Sequence, residues 1–161
     1  MSINKYKPHV LVLPEDHANA EMANGFLLHP QLNDRSIQVL PYVGGWTAVV
    51  EKFTKNFIPK MRQYPHQWFV LLMDFDGTAD RLNYVKEQLP EDIQDRVFVL
   101  GVLSEPEELR NDLGQSLEWI GESLAASCTD HTHGLWDHAL LQHNKSELTR
   151  MIASVKPFLF R

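Results

Sequence analysis

The sequence predicts an α/β protein: a mainly parallel four-stranded sheet flanked by helices, followed by a helical C-terminal extension. Three observations carry this. Four short, mainly apolar runs recur along the chain, as expected of strands in a sheet covered on both faces. Segments with helical apolar spacing alternate with them, which is the βαβ pattern. The composition, 43% hydrophobic and 22% charged over 161 residues, is that of one folded domain.

The first strand is expected over residues 9–13 (HVLVL), ending at Pro14 and running into Glu15 and Asp16. Residues 17–28 then read as a helix with Ala18, Met22, Phe26 and Leu27 inward. Residues 36–42 (SIQVLPY) form the second strand, irregular at its end because Pro41 cannot donate to a ladder. Gly44 and Gly45 turn the chain into a helix over 46–57, whose Val49, Val50, Phe53 and Phe57 share one face. Pro59 is expected to bend or end it. Residues 67–73 (QWFVLLM) are the strongest strand, closed by Asp74-Phe75-Asp76-Gly77. A short helix over 81–89, a strand over 96–102 and helices over 106–113 and 117–126 follow. A last helix is expected over 135–155.

Right-handed crossovers would set all four strand C-termini on one edge, where open α/β sheets bind ligands. Glu15 follows the first strand, and Asp74 and Asp76 the third. In extended geometry the two aspartates point to the same side. Three carboxylates on one rim repel unless a cation sits among them. Mg²⁺ or Mn²⁺, which take oxygen ligands, suit that place. The plainer alternative is that these acids only cap helices and end a strand.

A glutamate after a first strand, a glycine turn after a second and D-x-D after a third resembles the TOPRIM domain of topoisomerases, primases and OLD-type nucleases, over residues 7–108. The resemblance implies Glu15 as acid/base or metal-binding glutamate, Gly44 or Gly45 as turn glycine, and Asp74 and Asp76 as the metal-binding pair. Ser104 and Glu107 (SEPE) fit a further S-x-x-E of OLD-type nucleases, whereas Asn19 stands where those nucleases carry a second acid. Residues 109–161 would form a helical extension in the same domain. A rival resemblance uses the same D-x-D-G-T: in haloacid-dehalogenase-type phosphatases Asp74 would be the nucleophile and Asp76 the general acid. That family also needs a later lysine and then a strand with a further acidic pair, and beyond Ser104 no apolar strand is followed by two acids.

Arg81, seven positions past Asp74, is placed to hold a substrate phosphate, or to pair with Asp80 or Glu15. Asp16 would stand just outside the metal. Cys128, His131, His133, His138 and His143 are crowded, but their spacing matches no familiar zinc framework. His143, Glu147 and Arg150 share a helical face; an exposed ion-pair stripe is the expectation, a polar seam against the sheet the alternative. Trp119, Trp136, Phe158 and Phe160 are expected to help cover a sheet face. Lys52, Lys55, Lys60 and Arg62 give the second helix a basic side.

Net charge is −6, which excludes a protein held on nucleic acid by bulk charge. An enzyme meeting nucleic acid through metal ions remains open. One cysteine excludes an internal disulfide. No apolar run has membrane-spanning length, and residues 1–7 lack a signal-type apolar segment, so a cytoplasmic protein is expected. The reading is therefore a metal-dependent phosphoryl-transfer enzyme acting on nucleic acid. Alternatives are the phosphatase or a non-catalytic module serving a partner protein or a homo-oligomer.

Overall fold

A computed structural model describes residues 3–130 and 134–161. Its centre is a four-stranded, all-parallel sheet of order β2-β1-β3-β4: β1 His9–Pro14, β2 Ile37–Val39, β3 Gln67–Leu72 and β4 Val97–Leu100. β1 and β3 pair along their whole length, from His9 opposite Gln67 to Pro14 opposite Leu72.

Alternation along the strands divides the apolar residues between two cores. Val10, Val12, Val70, Leu72, Phe98 and Leu100 face one way. They pack on α1 (His17–Phe26), α7 (Leu117–Thr129) and α8 (Lys145–Leu159). Leu11, Leu13, Phe69, Leu71, Val97 and Val99 face the other way, against Val49, Phe53, Met61, Val85 and Ile93. Those five belong to α2 (Trp46–Lys52), the turn after it, α3 (Ile58–Gln63), α4 (Asp80–Glu87) and α5 (Glu91–Gln94). Most of one sheet face is thus covered by the C-terminal extension. α1 and α7 touch backbone to backbone: a Cβ at Gly121 would lie 1.9 Å from the Met22 carbonyl oxygen, and one at Gly25 2.1 Å from that of Glu118. An apolar cavity of about 80 Å³ remains in this core, lined among others by Val12, Met22, Leu72, Met151 and Val155.

Several expected elements are redrawn by local chemistry. The second strand keeps only three residues, since Pro41 breaks its far end. The helix beginning at Trp46 does not stop at Pro59. A π-turn over Phe53–Phe57, with the Ile58 N–H donating to the Phe53 carbonyl, widens the helix. Pro59 then sits in the first turn of α3, where its missing N–H leaves no bond unmade. The expected helix over 135–155 is instead two 3-10 turns, Gly134–Asp137 and Gln142–Asn144, and then α8.

Asn144 closes the second 3-10 turn, immediately before α8, and its side chain is held by the edge of the sheet. β4 is an edge strand, so its outer backbone groups lack a strand partner. Asn144 Oδ1 accepts from the Gly101 N–H at 3.1 Å, and Asn144 Nδ2 donates to the Gly101 and Leu141 carbonyls, both at 2.9 Å. Glu147 Oε1 accepts from the Val99 N–H at 3.1 Å. Arg150 donates to Glu147 and to the carbonyls of Gln94 and Val97. The expected exposed stripe is therefore in part a buried seam: Glu147 is fully buried, its charge met by Arg150 and Lys86 and its other oxygen by the edge N–H of Val99.

Trp136 is buried, with Nε1 donating to the Leu124 carbonyl at 3.2 Å, and Phe158 packs on Trp68. Phe160 packs at the rim of the same core. Trp119 departs from expectation: it is 45% exposed, on the outer side of α7. Among the described residues, no helix is long and apolar enough to cross a membrane.

Asn144→Ala is expected to destabilise the fold by about 2–4 kcal/mol, since both Gly101 backbone groups lose their partner in a dry place. Urea denaturation measures it, with exposed Gln142→Ala as control; equal stability of the two variants would refute the edge-sealing role.

Candidate functional site

The in-register pairing of β1 and β3 brings their C-terminal ends to one rim. Glu15 follows Pro14, and its Oε1 accepts from the Asp74 N–H at 3.1 Å, so two residues far apart in sequence are joined directly. Asp16 caps α1: its Oδ1 accepts from the Asn19 N–H at 3.0 Å and from Asn19 Nδ2 at 2.9 Å. The same Nδ2 donates to Asp74 Oδ1 at 2.9 Å. Asn19 is fully buried and ties the two aspartates together. Glu15, Asp16 and Asp74 each offer an oxygen, all within 4.8 Å of one another. This is the sole such grouping of three or more His, Cys, Asp or Glu among the described residues.

The loop after β2 completes the rim. The N–H groups of Gly44 and Gly45 both donate to the Glu15 carbonyl, at 2.7 and 3.2 Å. Their φ angles of 94° and 140° leave that approach to glycine. Beyond β4, the Leu103 carbonyl accepts from the Gly77 N–H at 2.6 Å, joining the two outer loops. Ser104 follows, its Oγ buried and without a hydrogen bond among the described residues. Glu107, half-buried in α6 (Pro106–Leu113), adds negative charge that acts on Asp74.

Asp76 departs from the expected geometry. Its φ is 50°, so the backbone leaves the extended conformation before it, and the alternation that would aim Asp76 alongside Asp74 is lost. Its Oδ2 accepts from Arg81 Nη2 at 2.7 Å, and it stands outside the close triad. Asp16 takes the third place instead. Arg81 pairs with Asp76, not with Asp80 or Glu15; its Nη1 donates to the Asp74 carbonyl at 2.6 Å, and its guanidinium lies over the Trp46 ring at 4.3 Å.

Burial and crowding alter the titration of the triad. Burial pushes the Asp74 carboxyl up to about 7; Asn19 opposes this, while Glu15, Asp16 and Glu107 add to it. Burial also raises Glu15, opposed by the Asp74 N–H and supported by the charge of Asp16. The protein thus holds acids where ionisation is unfavourable, the condition under which a cation is most strongly drawn in.

The other candidates disperse. His131 and His133 lie outside the described residues. Cys128 is buried, its thiol pushed up to about 11 by burial, and His138 faces Asp112 at 3.9 Å. His143 packs on the Phe75 ring, both ring nitrogens buried and lacking a hydrogen bond among the described residues; burial lowers its pKa. On the basic side, Lys55 pairs with Glu51 and Arg62 with Asp92. From sequence, Asn19 is marked only as standing where OLD-type nucleases carry a second acid; the link its amide makes between Asp16 and Asp74 is seen only in the structure.

Because folded Asp74 holds its proton to about pH 7 and an unfolded aspartate releases it near 3.8, the folded state binds the extra proton in between. Stability therefore falls as pH rises through that window. Asp74→Asn removes the effect. In EDTA its melting temperature should match wild type near pH 4 and exceed it by about 5 °C at pH 8; a difference that stays constant with pH would show that Asp74 is not the titrating group.

Comparison of the chain with family models, with curated proteins and with solved structures gave no match.

Proposed function

We propose that the protein is a Mg²⁺- or Mn²⁺-dependent phosphoryl-transfer enzyme that hydrolyses nucleic-acid phosphodiesters, with a TOPRIM-like arrangement of its acids. The observation that carries this reading is the meeting of Glu15, Asp16 and Asp74 within 4.8 Å at the rim of a parallel sheet.

The donor set fits a hard divalent cation. It is all oxygen, and each carboxylate is aimed by a hydrogen bond on one oxygen: Asp74 N–H on Glu15, Asn19 on Asp16 and on Asp74. Among the described residues, the second oxygen of each makes no hydrogen bond. Ligands held in this way by outer partners are a common feature of metal sites. A bound Mg²⁺ or Mn²⁺ would supply Lewis acidity toward a phosphoryl oxygen and a more acidic water.

The chain's own residues would do the rest. Glu15, raised above the usual carboxylate range by burial, is suited to take a proton from an attacking water. Asn19 fixes the two aspartates. The glycine N–H groups at 44 and 45 hold the Glu15 backbone still. The phosphatase reading has less support. Its general acid, Asp76, is turned onto Arg81 and stands outside the close triad. A metal-binding module without turnover would share the site and differ only in the cleavage assay.

Titration calorimetry with Mn²⁺, alongside cleavage of end-labelled DNA and RNA, tests the proposal. Asp74→Asn is expected to abolish Mn²⁺ binding and cleavage together, and Glu15→Gln to lower cleavage by about 10²–10⁴-fold. Undiminished cleavage by Asp74→Asn would end the enzymatic reading.

A further inference from the structure

Arg81 and Asp76 form an unequal pair. The Arg81 side chain is only 13% exposed, whereas that of Asp76 is 65% exposed. The cation is fixed from three directions: Nη1 donates to the Asp74 carbonyl, Nη2 donates to Asp76, and the guanidinium plane lies on the Trp46 ring. Trp46 is braced in turn by Tyr84, edge to face at 5.5 Å. The anion has no comparable support. Among the described residues Asp76 makes no hydrogen bond through its side chain except to Arg81. Its backbone sits at φ 50°, a region that costs a non-glycine residue free energy.

A guanidinium carries five N–H donors in a planar fork that matches carboxylate and phosphate oxygens alike. Arg81 spends one on a backbone carbonyl and one on Asp76. The Asp74 carbonyl it grips belongs to a residue of the acidic triad, and the Arg81 charge acts on Glu15.

We propose that the Arg81 fork is a binding site for a phosphoryl group, and that the Asp76 carboxylate is a stand-in anion that occupies it until phosphate arrives. The proposal rests on the phosphodiester reading above and adds to it the group that grips the non-bridging phosphate oxygens. A phosphate would exchange for Asp76 on Nη2, while the Trp46 stack and the Asp74 carbonyl keep the fork in place. Asp76, already at the surface, would turn outward into water. No covalent bond is made or broken in this exchange.

The alternative is that Asp76 merely braces the loop, and the two roles predict opposite signs. If Asp76 is a competitor, Asp76→Asn should tighten binding of inorganic phosphate by about tenfold, by removing a charge-assisted bond that phosphate must break. If it is a brace, the same change should leave binding unaltered or weaken it. Phosphate-31 NMR titration of wild type, Asp76→Asn, Arg81→Gln and the double variant measures this, each in EDTA and in Mg²⁺. Asp76→Asn is the decisive variant, because its exposed position leaves the fold intact if Arg81→Gln does not. Tightening by Asp76→Asn that disappears in the double variant supports the proposal. Unchanged or weaker binding by Asp76→Asn overturns it. The EDTA arm separates the two readings: tightening there stands even if Mn²⁺ proves not to bind the triad.

Discussion

Everything chemical about this protein depends on β1 and β3 lying side by side in parallel, in register from His9 and Gln67 to Pro14 and Leu72. Parallel pairing is what sends both strand ends to the same rim, and full register is what brings Glu15, one residue past Pro14, within a hydrogen bond of Asp74, two residues past Leu72. Slipping the pair by one residue would turn every apolar side chain to the wrong face, so the two cores enforce the register. The acids inherit their proximity from that packing. Their repulsion and partial desolvation are the cost of the arrangement, carried by the apolar burial on both faces of the sheet.

Much of this was legible in the residues themselves. The four strands announced themselves as mainly apolar runs, and the helix over 106–113 matches to the residue because a proline opens it and a glycine with φ 62° closes it. Glu15 and Asp74 were legible too, since a strand end is easy to find and topology does the rest. Asp76 was not. Two-residue spacing implies a shared side only while the backbone stays extended, and the turn through Asp76 and Gly77 breaks that condition. Asp16 and Asn19 illustrate the converse. A capping aspartate and the amide that bonds it look like ordinary helix-start chemistry, and nothing local reveals that the amide also reaches Asp74 across the fold.

The C-terminal third was the least legible part, for a related reason. Periodicity marks apolar faces, and residues 135–155 carry enough of it to suggest one helix. The break near Asn144 falls where β4 needs partners for its outer backbone groups, and Asn144 supplies them at Gly101. His143, Glu147 and Arg150 read as a solvated polar row in sequence; in space Glu147 and Arg150 join Asn144 in a tertiary device. Buried polar side chains of this kind are seldom predictable from their neighbours, because their partners are main-chain atoms of a distant strand.

That device has a consequence for assembly. Strand addition, the route by which sheets recruit peptides or nucleate fibrils, needs an open ladder of unpaired amides and carbonyls. At β4 the ladder is already filled by side chains belonging to the chain itself, so an incoming strand would first have to unseat a buried asparagine and a buried glutamate. The sheet is closed to growth on that flank, and any self-association by β-pairing is confined to the opposite one, where β2 offers three residues.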